Sequence, residues 1–190
     1  MKNATRELYR ISYQLRKKTV EMVHNAGTGH AAPCLSMAEM ITVLYFSELN
    51  LRPEEPHWAD RDRFVLSKGH ASPIYYAALA KKGFFPEEEL FEYRRLNSKL
   101  QGHPVMNKCP GVDMTSGSLG NGVSAALGMA LIGKKDGKKH RVYAIAGDGE
   151  LQEGIVWEAF LYAGNAKLDN LTLLVDHNGL QSGGSVEKIQ

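Results

Sequence analysis

Two apolar runs constrain this chain more than any other feature. Arg141 to Ala146 (RVYAIA) and Asn170 to Asp176 (NLTLLVD) flank a segment, Gln152 to about Lys167, that reads as a helix. Short, uninterrupted apolar runs of this kind read as strands, and Arg141 to Ala146 as one buried on both faces. Strand, helix, strand in that order is a βαβ unit with parallel strands. The class is therefore α/β: a parallel sheet with helices on both faces. A third strand is expected at Arg63 to Ser67 (RFVLS). Three strands are fewer than the five or six of a doubly wound sheet, so the sheet is expected to be C-terminally short.

The remaining elements are helical. Thr5 to about Asn25 carries Leu8, Ile11, Leu15, Met22 and Val23 at roughly helical spacing, and Gly27-Thr28-Gly29-His30 ends it. Ser36, with Glu39 three residues on, predicts a capped helix start. A helix is expected near Ile74 to Lys82, stopped by Gly83, and another from Pro86, with Glu87, Glu88 and Glu89 in its first turn. Gly120 to about Lys135 reads as a small-residue helix able to pack closely, with Ser116 or Ser118 as a possible cap. The expectation is one domain over residues 1–190, with residues 1–50 as a helical extension.

Composition removes several functions. The chain has 23 basic and 21 acidic residues, a net charge of +2, whereas a nucleic-acid binder usually shows a marked basic excess. Its most apolar stretch, Ala125 to Gly133, is far shorter than a membrane span. The N-terminal residues hold no apolar core of the signal-peptide kind. Cys34 and Cys109 are single and far apart, which suits a reduced compartment. A cytoplasmic protein with no nucleic-acid or membrane partner is expected. At about 70% burial, 190 residues suffice for a real core.

The chemistry-bearing residues sit where the two strands end. Gly147-Asp148-Gly149 follows the first apolar run and Asn178-Gly179 the second. Parallel strands end on one edge, where open α/β sheets bind ligands. Asp148 and Asn178, 30 residues apart, can therefore converge. The flanking glycines let backbone approach a ligand. A carboxylate and an amide oxygen are hard ligands of the kind Mg²⁺ takes alongside phosphate oxygens. The bland alternative is two ordinary turns; the pairing of both loops on this topology argues for a metal-bridged diphosphate. Three of the seven histidines follow glycine: His30, His70 and His103. A single histidine is more often structural or solvated than catalytic, but these three share one local pattern. His24, His57, His140 and His177 read as structural or solvated, and the run Lys134 to Lys139 as a solvated loop.

Gly147-Asp148-Gly149-Glu150-Leu151-Gln152-Glu153-Gly154, closed by Asn178-Gly179, resembles the thiamin diphosphate motif. Asp60 to His70 (DRDRFVLSKGH), Gly102-His103-Pro104 and Thr115 to Gly120 (TSGSLG) resemble transketolase segments in the right order. The resemblance runs from the first helix to near Gly184. It implies a thiamin diphosphate-binding fold. Asp148, Asn178 and the backbone carbonyl of Leu180 would hold Mg²⁺ or another divalent cation such as Ca²⁺. Gly147, Gly149 and Glu150 would lie by the diphosphate, Glu153 would act as a coupling acid near the cofactor, and Gly117, Ser118 and Leu119 would pack against the aminopyrimidine. His30 and His103 would contact sugar hydroxyls, and His70 the diphosphate and reacting carbon. Neutral-to-charged transitions near physiological pH suit that work.

The resemblance also sets an expectation for assembly. A pyrimidine-binding domain and the basic cluster that holds a sugar phosphate do not occur in these residues. The chain is therefore expected to be the N-terminal subunit of a split transketolase, inactive alone and completed by a C-terminal subunit in a dimer of heterodimers. The reaction implied is two-carbon ketol transfer from a ketose phosphate to an aldose phosphate, as in the pentose phosphate pathway. The alternatives are a truncated, non-catalytic binding module, or a related enzyme such as a deoxyxylulose-phosphate synthase. Gly29-His30-Ala31-Ala32-Pro33-Cys34 departs from the family loop, and its added methyl groups are expected to reshape the sugar channel.

Overall fold

The apolar runs form the sheet they predict. In the computed structural model, which describes the backbone of residues 2–189 and the side chains of residues 4–189, β1 (Arg63–Leu66), β2 (Val142–Gly147) and β3 (Leu171–Asp176) lie in the order β1-β2-β3. Both pairings are parallel, with Val65 opposite Ala144 and Ala144 opposite Leu173. β2 is central and its first five residues are buried, as its unbroken apolar run requires. The α/β class with a parallel sheet is what the fold shows.

The chain divides into two compact units, one of Met1–Arg61 with His70–Val112 and one of Asp62–Gly69 with Asp113–Gln190. The second unit holds the sheet. α5 (Asn121–Lys135) packs on all three strands, and α6 (Gly154–Asn165) packs on α5. Small residues set the approach: a Cβ on Gly122 would sit 2.7 Å from the Cα of Ser67. Val65, Ala126, Ala130, Val142 and Ala144 make the core beneath. Buried carboxylates tie the strand starts: Asp113 accepts from the Phe64 N–H at 2.9 Å and Asp62 from the Arg141 N–H at 2.7 Å. A short hairpin, β4 (Leu180–Gln181) with β5 (Gly184–Ser185), and α7 (Val186–Ile189) follow.

The first unit is helical. α1 (Lys2–Ala26) packs on α3 (Ala38–Val43) and α4 (Ser72–Lys82), and α2 (Ala32–Ser36) joins the same layer. Every residue of α4 from Ser72 to Ala80 is buried, so it is a central helix rather than an amphipathic one. Gly83, at φ +103°, closes it as a left-handed cap. Tyr45, Tyr75, Tyr76 and Tyr93 form the aromatic centre, with ring centroids 6.0–6.3 Å apart along the series.

Three local expectations are corrected. Ser36 does not cap a helix; it ends α2, and its hydroxyl donates to the Pro33 carbonyl at 3.2 Å. Glu39 is drawn instead to Arg16, which grips both carboxylate oxygens at 2.6 Å. A bidentate, charge-assisted pair outweighs a single bond to a backbone N–H. After Pro86 the chain forms a 3₁₀ turn, Glu87–Glu92, not an α-helix; Glu87 and Glu89 pair with Lys81 and Lys99. Neither Ser116 nor Ser118 caps α5, whose N-cap is Gly120 at φ +81°. A Cβ there would lie 2.5 Å from the Ile155 side chain.

Candidate cofactor and active site

The parallel register delivers three loops to one edge of the sheet in the second unit. Ser67-Lys68-Gly69 follows β1, Gly147-Asp148-Gly149 follows β2, and His177-Asn178-Gly179 follows β3. The Asp148 N–H donates to the Asp176 carbonyl at 3.3 Å. The Asp148 carboxylate then binds both glycines: Oδ1 accepts from Gly149 N–H at 2.8 Å and Oδ2 from Gly179 N–H at 2.9 Å. Asn178 turns its side-chain oxygen onto the Leu180 N–H at 2.9 Å. Asp148 is thus hydrogen-bonded to the turn that carries Asn178 and Leu180, and topology and spacing predict the meeting of the Asp148 and Asn178 loops.

Glu150 plays a different part from the exposed acids. It is 2% exposed, and its carboxylate is turned inward. Oε1 accepts from the Gly120 N–H at 2.7 Å and from the Ser67 hydroxyl, and Oε2 from the Gly147 N–H at 3.0 Å. One side chain therefore holds the β1 loop, the start of α5 and the end of β2. Glu153 sits at the N-cap of α6, exposed and with no capping bond. Gly117 and Ser118 are exposed and Leu119 half-buried. Gly117 and Ser118 line a cavity of about 510 Å³ with Met114, Thr115, Ser116 and Asn121, a volume suited to a small-molecule ligand.

Two residues that the sequence did not single out complete this loop cluster. Lys68 is 1% exposed and forms an ion pair with Asp176, itself 3% exposed. Its stem passes over the end of β2, 3.8 Å from where a Cβ on Gly147 would stand. The signal was present: a lysine directly after one apolar strand and an aspartate closing another, on strands with aligned ends. Gln181 is the other. Its side chain lies 3.1 Å from a Cβ position on Gly149, and its Nε2 is buried with no hydrogen-bond partner.

The first unit gathers the three Gly-His histidines. His30 and His70 meet edge to face with centroids 5.5 Å apart. His103 is half-buried, and its imidazole is held below the usual histidine range by burial first, then by the charge of Arg94 and by His30. Hydroxyls fix the His103 loop from below. Ser72 donates to the Gly102 carbonyl at 2.7 Å, and Tyr76 to the carbonyls of Gln101 at 2.9 Å and His103 at 3.3 Å. Burial raises the Tyr76 phenol far above its ordinary range, so it stays a donor. Cys34 donates to the His30 carbonyl at 3.0 Å. Burial pushes the Cys109 thiol up to about 12, so it is no nucleophile. His177 is exposed.

The donor chemistry fits a metal-bridged diphosphate. Asp148 and Asn178 supply hard oxygens, and the turn carrying the Leu180 carbonyl adjoins them. The buried, unpartnered amide nitrogen of Gln181 lies against Gly149. Among the described residues no cluster of three or more His, Cys, Asp or Glu could hold a metal alone, so the set would need backbone and ligand oxygens. No helix of the described residues is long and apolar enough to cross a membrane.

Comparisons with known proteins converge on one family. The profile for the transketolase thiamine diphosphate binding domain matches residues 9–190. The chain is 45% identical over 175 residues to a 6-deoxy-6-sulfo-D-fructose transketolase subunit from Clostridium sp. (strain MSTE9), covering 92% of this chain and 64% of that one. It is 43% identical over 184 residues to an apulose-4-phosphate transketolase subunit from Actinobacillus succinogenes, covering 96% and 67%. The solved transketolase from Leishmania mexicana superposes with a TM-score of 0.92 at 31% identity, over 96% of this chain and 29% of that one. The chain thus spans about two thirds of the subunit relatives and under a third of the Leishmania mexicana transketolase chain. With a profile match that begins inside α1 and continues to the last residue, the chain belongs to the transketolase family, in its thiamine diphosphate-binding domain.

Proposed function

We propose that this chain is the N-terminal subunit of a split transketolase that moves a two-carbon ketol unit from a ketose phosphate to an aldose phosphate. The observation that carries the reading is the Asp148 carboxylate joined to Gly149 and Gly179 at the common end of two parallel strands. The names of the two subunit relatives support a partner subunit; in this proposal that partner is a C-terminal chain carrying the pyrimidine-binding part, the assembly is a dimer of heterodimers, and this chain alone is inactive. Those names also favour ketose substrates bearing an anionic group.

In this reading Asp148, Asn178 and the Leu180 carbonyl would hold Mg²⁺ or Ca²⁺, which would supply positive charge for the diphosphate. Gly147 and Gly149 let backbone reach the phosphates, Glu150 braces the loops, and Glu153 serves the coupling acid role from its exposed position. Gly117, Ser118 and Leu119 take the aminopyrimidine. Thiamin diphosphate supplies the electron sink for breaking a carbon–carbon bond beside a carbonyl. His30 and His103 bind sugar hydroxyls, and His70 exchanges a proton near the reacting carbon. A neutral His103 at pH 7 can both donate to and accept from a hydroxyl, which an imidazolium cannot.

Calorimetric titration of thiamin diphosphate with and without Mg²⁺ tests the assignment. Binding should require the metal, and Asp148→Ala should weaken it by more than about 100-fold, beyond the loss typical of an outer-shell partner. Equal binding by the folded variant removes Asp148 from the site.

A further inference from the structure

The two Gly-His loops of the first unit are joined by one residue whose backbone is itself unusual. Arg94 adopts φ +62°, a left-handed conformation that a long side chain rarely takes without support from its surroundings. Its N–H is held by the Leu100 carbonyl at 2.9 Å. That turn sends the guanidinium back across both loops. Nη1 donates to the Thr28 hydroxyl at 3.0 Å, and Nε to the Tyr93 hydroxyl at 3.2 Å.

Both glycines of these loops are explained by this contact. A Cβ on Gly102 would stand 2.8 Å from Nε and Nη2 of Arg94. A Cβ on Gly29, at φ +133°, would stand 3.2 Å from the Tyr93 ring. The Tyr93–Arg94 pair therefore fills the space that glycine leaves beside His30 and beside His103. Neither glycine faces open solvent, so loop flexibility alone does not account for them.

We propose that Arg94 is the positioning residue of the histidine cluster: its guanidinium fixes the Gly29-His30 and Gly102-His103 loops against each other and stands beside His103 as a permanent cation. The inference rests on the reading that these histidines meet the sugar. Arg94 does not touch substrate in it; it sets where the two loops lie and favours the neutral form of His103. Among the described residues, the charged or titratable groups facing His103 are Arg94, His30 from the loop after α1, and Tyr76 from α4, whose hydroxyl holds the His103 carbonyl. His30 in turn meets His70. Arg94 is the permanent cation among them, and its charge works with burial to hold His103 toward its neutral form.

Histidine titration by NMR on the full chain tests this without any activity assay. In the parent, His103 should titrate below 6.5. Arg94→Gln removes the cation and should raise that value. Arg94→Lys keeps a charge but not the planar fork. It should retain most of the lowered value while shifting the amide signals of Thr28 and Gly102. Gly102→Ala leaves Arg94 in the sequence but occupies its seat, and should move His103 in the same direction as Arg94→Gln. It serves where the glutamine variant does not fold. An unchanged His103 titration in folded Arg94→Gln, or in folded Gly102→Ala, overturns the proposal. Failure of the cofactor reading shows elsewhere, as metal-independent binding or an inert Asp148→Ala, and leaves this titration untouched.

Discussion

The two units hold their functional loops by opposite means. In the second, buried charge does the holding: Glu150 gathers three donors, and Lys68 reaches across β2 to Asp176. In the first, the His103 loop rests on neutral hydroxyls from a buried helix, Ser72 and Tyr76, and half-buried Arg94 ties it to the Thr28 loop. The difference follows from the ends of secondary structure. At the edge where the parallel strands stop, the loops bring unpaired N–H groups of Gly120, Gly147, Gly149 and Gly179 together, and carboxylates satisfy several at once. The loops around α4 present carbonyls instead, which hydroxyl donors satisfy without burying a charge. Ionic bracing fixes geometry tightly, yet it makes each partner costly to remove alone.

The contrast predicts an ordered series of losses. The largest is Lys68→Met, which leaves Asp176 buried without its cation and should cost about 3–5 kcal/mol in urea unfolding. A loss below about 1 kcal/mol would mean that water already reaches the pair, and the contrast would fail. Glu150→Gln comes next. An amide keeps one acceptor oxygen but sets an NH₂ against the Gly120, Gly147 or Ser67 donors, for about 1.5–3 kcal/mol. It should also weaken thiamin diphosphate binding, because Gly147 and the β1 loop lose their common anchor. Tyr76→Phe keeps the ring in the aromatic centre and removes only the hydroxyl, for about 1 kcal/mol. A penalty equal to that of Glu150→Gln would erase the distinction between the units.

The smallest effect is a pH dependence. Because His103 is held below 6.5 in the folded chain, the unfolded chain binds its proton first as pH falls. Stability from this group is fully present above pH 6.5 and is lost progressively as pH drops through the folded value. Denaturation midpoints between pH 7 and 5 should decline, and His103→Gln should flatten part of that slope. An unchanged slope would place His103 in a more solvated setting than its burial and the Arg94 charge imply.

Much of the second unit was legible in residue order. RVYAIA and NLTLLVD are apolar enough to read as strands, the first central and buried and the second a half-buried edge strand, and the helix between them requires parallel pairing. Parallel pairing alone brings Asp148 and Asn178 to one edge, and their loops meet there through the Gly179–Asp148 bond. The small-residue helix was readable for the same reason, since Gly122 admits the β1 backbone. The capping box at Ser36 failed where Arg16, 23 residues from Glu39, supplied a stronger partner than the local backbone. The 3₁₀ turn after Pro86 likewise reflects glutamates committed to Lys81 and Lys99 rather than to a helix start.

Sequence by itself determined the class, the parallel edge and the family, because apolar periodicity and glycine-flanked loop motifs are local and survive without knowledge of distant contacts. Only the tertiary structure decided which charged side chains turn inward. Nothing local separates Glu150, 2% exposed, from exposed Glu153, or marks Lys68 as a buried cation. Nor does local order show that Arg94 lies over loops 66 residues before it and 8 residues after it. Burial of a charge is set by whether a partner arrives from elsewhere in the fold, and that partner is a property of packing in three dimensions rather than of neighbours along the chain.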